Sequence, residues 1–190
     1  AQNIETDEFT HAFLSFCTFV SLLNGKKMDD FKKFMKQCDN TEQSQYDIYP
    51  PNLKEPYRTS RFEIGEAMYK LLDIPRDDKA ARFAHLMENF NFFGAPAALF
   101  CFVDRQMGPP QWSDLGMFLQ TFMLLAQEHG LDTCAQEIWS MKQESVSKFL
   151  NVDDDQMIFC GMAIGYKDQE APINQFRTER QNIEDWCKII

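Results

Sequence analysis

The sequence predicts an α+β domain in which helices wrap a central sheet. Two short unbroken apolar runs, residues 97–103 (AALFCFV) and 157–164 (MIFCGMAI), read as strands buried on both faces. Between them, Trp112, Leu115, Phe118, Leu119, Phe122, Leu125 and Ala126 follow the 3.6-residue period of an amphipathic helix over residues 111–129. Helix-like and strand-like segments alternate irregularly and nothing recurs at a solenoid period, so a single domain over residues 1–190 is expected.

The remaining elements follow in order. Residues 13–23 (FLSFCTFVSLL) are rich in aromatic and β-branched types and read as a strand, which Asn24-Gly25 breaks. Residues 27–38 place Met28, Phe31, Phe34 and Met35 on one helical face. A polar loop with Pro50, Pro51 and Pro56 spans residues 39–59, long enough to be a lid or a wrap around a partner. Ser60, with Glu63 three residues on, has the form of a capping box, and Ile64, Ala67, Met68, Leu71 and Leu72 continue a helix that Pro75 ends. A second helix is predicted over residues 77–89, before Gly94 and Pro96 break the chain. Gly130 is placed to close the long helix in the left-handed conformation. Residues 141–150 read as a shorter helix, and the tail residues 183–190, with Trp186, as a segment that packs on a neighbouring chain.

Composition narrows the function. Twenty-nine acidic side chains against 19 basic give a formal net charge of −10, which argues against a general nucleic-acid or anionic-membrane binder. Eighteen Phe, 3 Trp, 5 Tyr and 10 Met point to a large core or a core plus an apolar interface. The six cysteines form no C-x-x-C pair and no zinc spacing, and there is no N-x-[ST] sequon, which favours a cytoplasmic chain with no metal. The apolar stretch 12–23 is too short to span a bilayer.

Spacing alone yields little chemistry. His129 and Cys134 lie five apart across a glycine turn, a weak thiol–imidazole candidate. Asp153–Asp155 lacks the periodicity of a calcium loop and reads as a solvated turn before a strand. Arg58 and Arg61 flank a helix start. Arg177 and Arg180 have the spacing of a phosphate clamp, although ion pairs with Glu179 or Glu184 are the better reading from spacing.

Five segments taken together carry more: residues 92–105 (FFGAPAALFCFVDR), 112–120 (WSDLGMFLQ), 130–139 (GLDTCAQEIW), 160–167 (CGMAIGYK) and 174–180 (NQFRTER). In this order the set resembles the flavin-dependent nitroreductase family over roughly residues 50–190. The resemblance implies a mainly antiparallel central sheet and an obligate homodimer, with the helix from Gln111 as the central dimer helix. It implies one FMN in each of two interface clefts, and hydride passing from NAD(P)H through FMN to a nitroaromatic, quinone or similar small aromatic acceptor. The flavin carries the chemistry, so no catalytic side chain is required. By position, Ala135, Gln136 and Glu137 would lie against the flavin ring, Arg180 and secondarily Arg177 would bind its phosphate, and Trp112 or the 39–59 loop would border the substrate. Against the family pattern, residues 1–25 are expected to be a divergent or truncated N-terminal segment: the Arg-Ser-x-Arg-like and Ser-x-x-Asn-x-Gln-Pro-Trp motifs are absent from this sequence, residues 10–18 reading THAFLSFCT instead. That absence favours an alternative, a degenerate non-catalytic dimer acting as an interaction module, whereas Arg180 and the 130–139 segment favour the enzyme.

Overall fold

The structure is a computed structural model and describes residues 18–38 and 42–190. In chain order the elements are β1 (Thr18–Asn24), α1 (Gly25–Met35), α2 (Tyr57–Leu71), α3 (Lys79–Met87), β2 (Ala97–Asp104), α4 (Pro109–Glu128), β3 (Asp132–Gln136), α5 (Gln143–Leu150), β4 (Gln156–Gly165), α6 (Pro172–Gln175) and α7 (Ile183–Trp186). Short 3-10 stretches, Glu88–Gly94 and Glu137–Lys142, precede β2 and α5. The chain forms two compact units, one from the residues up to Pro50 with Leu86–Tyr166, the other from Pro51–His85 with Lys167–Ile190. Among the described residues no helix is long and apolar enough to cross a membrane.

The first unit is built on a four-stranded antiparallel sheet of order β1-β2-β4-β3. The run 97–103 is a strand, and all of its side chains from Ala98 to Val103 are buried. Ala98, Phe100 and Phe102 join Met28, Phe31, Trp139, Val146 and Ile158 on one face. Leu99, Cys101 and Val103 join Leu115, Leu119, Met157, Cys160 and Met162 on the other. Alternation along one strand therefore feeds two cores, one under α1 and α5 and one under α4. The strand expected over residues 13–23 is formed from Thr18; its earlier part lies outside the described residues. Gly25 takes φ +49°, the left-handed turn between β1 and α1.

Strand β4 is interrupted. Cys101 pairs with Cys160 but Phe102 pairs with Ile158, so Phe159 has no partner and forms a bulge. The bulge keeps Met157 and Cys160 on the α4 face and Ile158 on the other. Further along, Gly161 lies under the indole of Trp139, which is fully buried among Phe31, Phe90, Phe92 and Phe100 at ring-centroid distances of 5.7, 5.1, 4.6 and 5.0 Å.

In the second unit, α2 starts at Tyr57, and no side-chain cap forms at its N-terminus, in place of the capping box expected at Ser60. Glu55 supplies the local carboxylate: it accepts from the Thr59 amide at 3.2 Å and from Arg58 at 2.7 Å. Neither α2 nor α3 buries a side chain within the described structure. The two helices are joined by Arg82, which binds Glu66 through both terminal nitrogens (2.6 and 3.2 Å), donates to the Pro75 carbonyl and lies 4.2 Å over the Tyr69 ring. The tail residues Trp186, Ile189 and Ile190 are exposed.

A Cβ at position 161 would sit 2.2 Å from Cδ1 of Trp139, far inside contact distance. Gly161→Ala is therefore expected to destabilise the protein by about 1–3 kcal/mol or more through overpacking, read as a lowered denaturant midpoint at unchanged slope.

Candidate functional site

The segment after α4 owes its conformation to a few local bonds. Gly130 adopts φ +75°, the Leu131 amide bonds to the Ala126 carbonyl at 2.8 Å, and the chain turns into β3. Strand β3 pairs with β4 alone among the described strands, so its other edge is unpaired. Residues 130–139 thus contain an edge strand that the sequence did not announce. The pentapeptide DTCAQ is too short and too mixed in polarity to show alternation.

The chain leaves the strand at Gln136, and this side chain is turned inward. Its Nε2 donates to the carbonyl and Oδ1 of Asn89 at 3.2 and 3.0 Å, and its Oε1 accepts from Trp139 Nε1 at 3.2 Å. Gln136 is buried, whereas Glu137 is exposed and Ala135 half-buried. Residues 135–137 are thereby pinned from inside. Asn89, 47 residues earlier, is a positioning residue that sequence reasoning missed, because no local pattern links it to residue 136.

A second set of bonds holds the following turn from the 42–46 side. Glu42 accepts from the Glu144 and Ser145 amides (2.7 and 3.2 Å) and from the Ser145 hydroxyl, capping α5 from a distant part of the chain. Ser44 and Ser140 share a hydroxyl contact at 3.1 Å, and the Gln45 amide donates to the Ser140 carbonyl. Tyr46 donates to the carbonyl of the bulged Phe159 at 2.5 Å. Burial, reinforced by Cys160 and Glu137, pushes the Tyr46 phenol well above its ordinary range, so it stays protonated and keeps the proton it donates to Phe159. Arg105 ties this strap to the turn before β4 through Gln45 Oε1 and the Asp154 carbonyl.

Trp112, on the first turns of α4, is half-buried between Tyr46 and Phe159, with centroids at 5.6 and 5.8 Å. Its indole N–H is buried with no hydrogen-bond partner among the described residues. Ala135, Gln136, Glu137 and Trp112 belong to the first unit; Arg177 and Arg180 belong to the second. Both arginines are exposed. Arg177 donates to the Asn174 and Phe176 carbonyls, and Arg180 to Thr178. Among the described residues neither forms the ion pair that its spacing from Glu179 and Glu184 had favoured.

The thiol candidate has the wrong electrostatics. Cys134 is exposed on β3, yet the packed sheet beneath it and then the Glu137 carboxylate hold its thiol above the ordinary value, away from the reactive thiolate. Cys101 and Cys160 are pushed up to about 12, chiefly by burial. Asp154 and Asp155 form the turn before β4, and among the described residues no group of acidic, His or Cys side chains is placed to hold a metal ion.

An antiparallel sheet between helical layers, with a side chain pinned inward at the end of its edge strand, defines an α+β domain. The model of the Nitroreductase family matches residues 50–166. The 4-nitrobenzoate reductase of Pseudomonas putida is 40% identical over 141 residues, 74% of this chain and 62% of that protein. The nitrobenzene nitroreductase of Ectopseudomonas oleovorans is 36% identical, over 77% of this chain and 64% of its own. The solved structure of the FMN- and NADPH-dependent nitroreductase NfnB from Sphigopyxis sp. strain HMH superposes with a TM-score of 0.85 at 40% identity, covering 92% of this chain and 80% of that one. The chain belongs to the nitroreductase family and has its fold. It spans 62–64% of the length of these two curated relatives.

Gln136→Leu removes the acceptor of the Trp139 indole and the donor to Asn89. It is expected to cost about 1–3 kcal/mol in stability, since buried polar groups are left unpaired. Urea unfolding followed by tryptophan fluorescence measures it.

Proposed function

We propose that this chain is a flavin-dependent oxidoreductase that passes hydride from NAD(P)H through FMN to a nitroaromatic, quinone or similar acceptor. The observation that carries the reading is the 40% identity, at a TM-score of 0.85 over 92% of the chain, to an FMN- and NADPH-dependent nitroreductase. When bound, FMN supplies the two-electron chemistry that no side chain here can provide.

Taken unit by unit, the residues present suit such a group. Arg177 and Arg180 offer guanidinium N–H donors that no carboxylate occupies among the described residues, which suits a phosphate. Arg180 is the principal phosphate residue and Arg177 the secondary one. The segment Ala135–Gln136–Glu137 offers backbone to a flat ring, because the Gln136 side chain is engaged inward and holds that backbone still. Trp112 is assigned to the acceptor side, where its half-buried ring, set between Tyr46 and Phe159, would border the substrate.

The homodimer belongs to the same reading. Met117 and Leu124 on α4 are 56% and 62% exposed, apolar surface that a second copy would cover. Five described cysteines are all free, which supports a cytoplasmic setting.

Protein supplied with FMN should show a bound-flavin visible spectrum that NADH or NADPH bleaches and a nitroaromatic restores; a chain that takes up no FMN would leave the non-catalytic module as the reading. Arg180→Ala is expected to weaken FMN binding about ten- to a hundredfold, the loss of one charge-assisted contact, with Arg177→Ala losing less, as read by fluorescence titration. Cys134→Ala should keep full acceptor reduction.

A further inference from the structure

We propose that a cavity of about 360 Å³ beside α1 binds a small carboxylate with a flat apolar body. None of residues 112, 135–137, 177 or 180 lines it, and the inference stands without the cofactor reading.

The cavity gathers cations against the trend of the chain. Lys32 and Lys36, one helical turn apart, face it together with Lys142 from the 3-10 stretch before α5, and Glu88 is the one carboxylate among the described lining residues. The described lining carries three ammonium groups and one carboxylate, whereas the chain as a whole carries 29 acidic and 19 basic side chains. Lys32 spends one donor on the Ala95 carbonyl at 2.9 Å. Burial, opposed by Asp29 and aided by Lys36, holds its pKa below the ordinary lysine value. An anion between Lys32 and Lys36 relieves both the desolvation and the mutual repulsion.

The walls choose the rest of the ligand. Met35 is buried, and Phe90 presents a ring 5.6 Å from the Lys142 ammonium. A thioether and an aromatic ring on the walls accept a flat apolar body. Glu88, bonded by Asn91 Nδ2 at 3.1 Å, also lines the cavity and disfavours a second anionic group. The occupant is therefore a monoanion with its charge at one end, an aromatic carboxylate by class.

Calorimetric titration of the purified chain with benzoate and with its neutral isostere benzamide tests this, with and without saturating FMN. Benzoate should bind saturably, benzamide at least tenfold more weakly, and FMN should not displace benzoate. Lys36→Glu, at an exposed position, should weaken benzoate about tenfold or more, with Lys36→Gln giving a smaller loss in the same direction. Lys33→Glu, on α1 but off the cavity, should leave it unchanged. No saturable binding up to tens of millimolar, equal binding of benzamide, indifference to the Lys36 variants, or competition by FMN would each overturn the proposal. A protein that takes up no FMN but binds benzoate with this pattern would sink the cofactor reading alone.

Discussion

Strand β2 has protein on every side: β1 and β4 along its edges, one core under α1 and α5, another under α4. A strand so placed has no solvent face, so polar side chains are excluded from Ala98 to Val103 and each backbone N–H and C=O is matched within the sheet or left at a cost. That constraint explains the aromatic excess. Phe100 and Phe102 need large partners on one side, and Phe31, Phe92 and Trp139 supply them. Leu99, Cys101 and Val103 on the other side are smaller, and the gap is filled by Leu115, Leu119 and the methionines of β4.

The site segment is held by different means. Residues 135–145 put one large apolar side chain, Trp139, into a core, and directed bonds fix their polar side chains and backbone: Asn89 to Gln136, Gln136 to Trp139, Ser44 and Gln45 to Ser140, Glu42 to the start of α5. Each such bond contributes only about 1 kcal/mol net, yet losing one partner costs more because the other is left buried and unsatisfied. Directed bonds also fix position more narrowly than apolar packing does, which suits a segment proposed to meet a rigid planar ring.

What could be read in advance follows from the range of the forces involved. The runs 97–103 and 157–164 and the period over residues 111–129 are local signals, and they became β2, β4 and α4. The helix expected from Ser60 starts three residues earlier, at Tyr57, where Glu55 accepts from the Thr59 amide. Strand β3 was missed as a strand although its residues were singled out by resemblance. Gln136 was named as a site candidate, but its partner Asn89 was not, since a contact across 47 residues leaves no mark on spacing. The same holds for Glu42, whose distance of about a hundred residues from the helix it caps makes it look like ordinary loop polarity. Arg177 and Arg180 show the opposite failure: their spacing from acids favoured ion pairs that the described structure does not form.

The bulge at Phe159 separates what the sheet needs from what its surroundings need. Were that one codon deleted, Met157 and Ile158 would keep their faces and Cys160 would follow in regular alternation, so both cores would survive. The sheet itself has no use for the residue. What would vanish is the carbonyl that receives Tyr46 and the ring against Trp112. Phe159 thus serves the corner it supports rather than the sheet, and a relative whose β4 is one residue shorter there should differ at positions 46 and 112 as well.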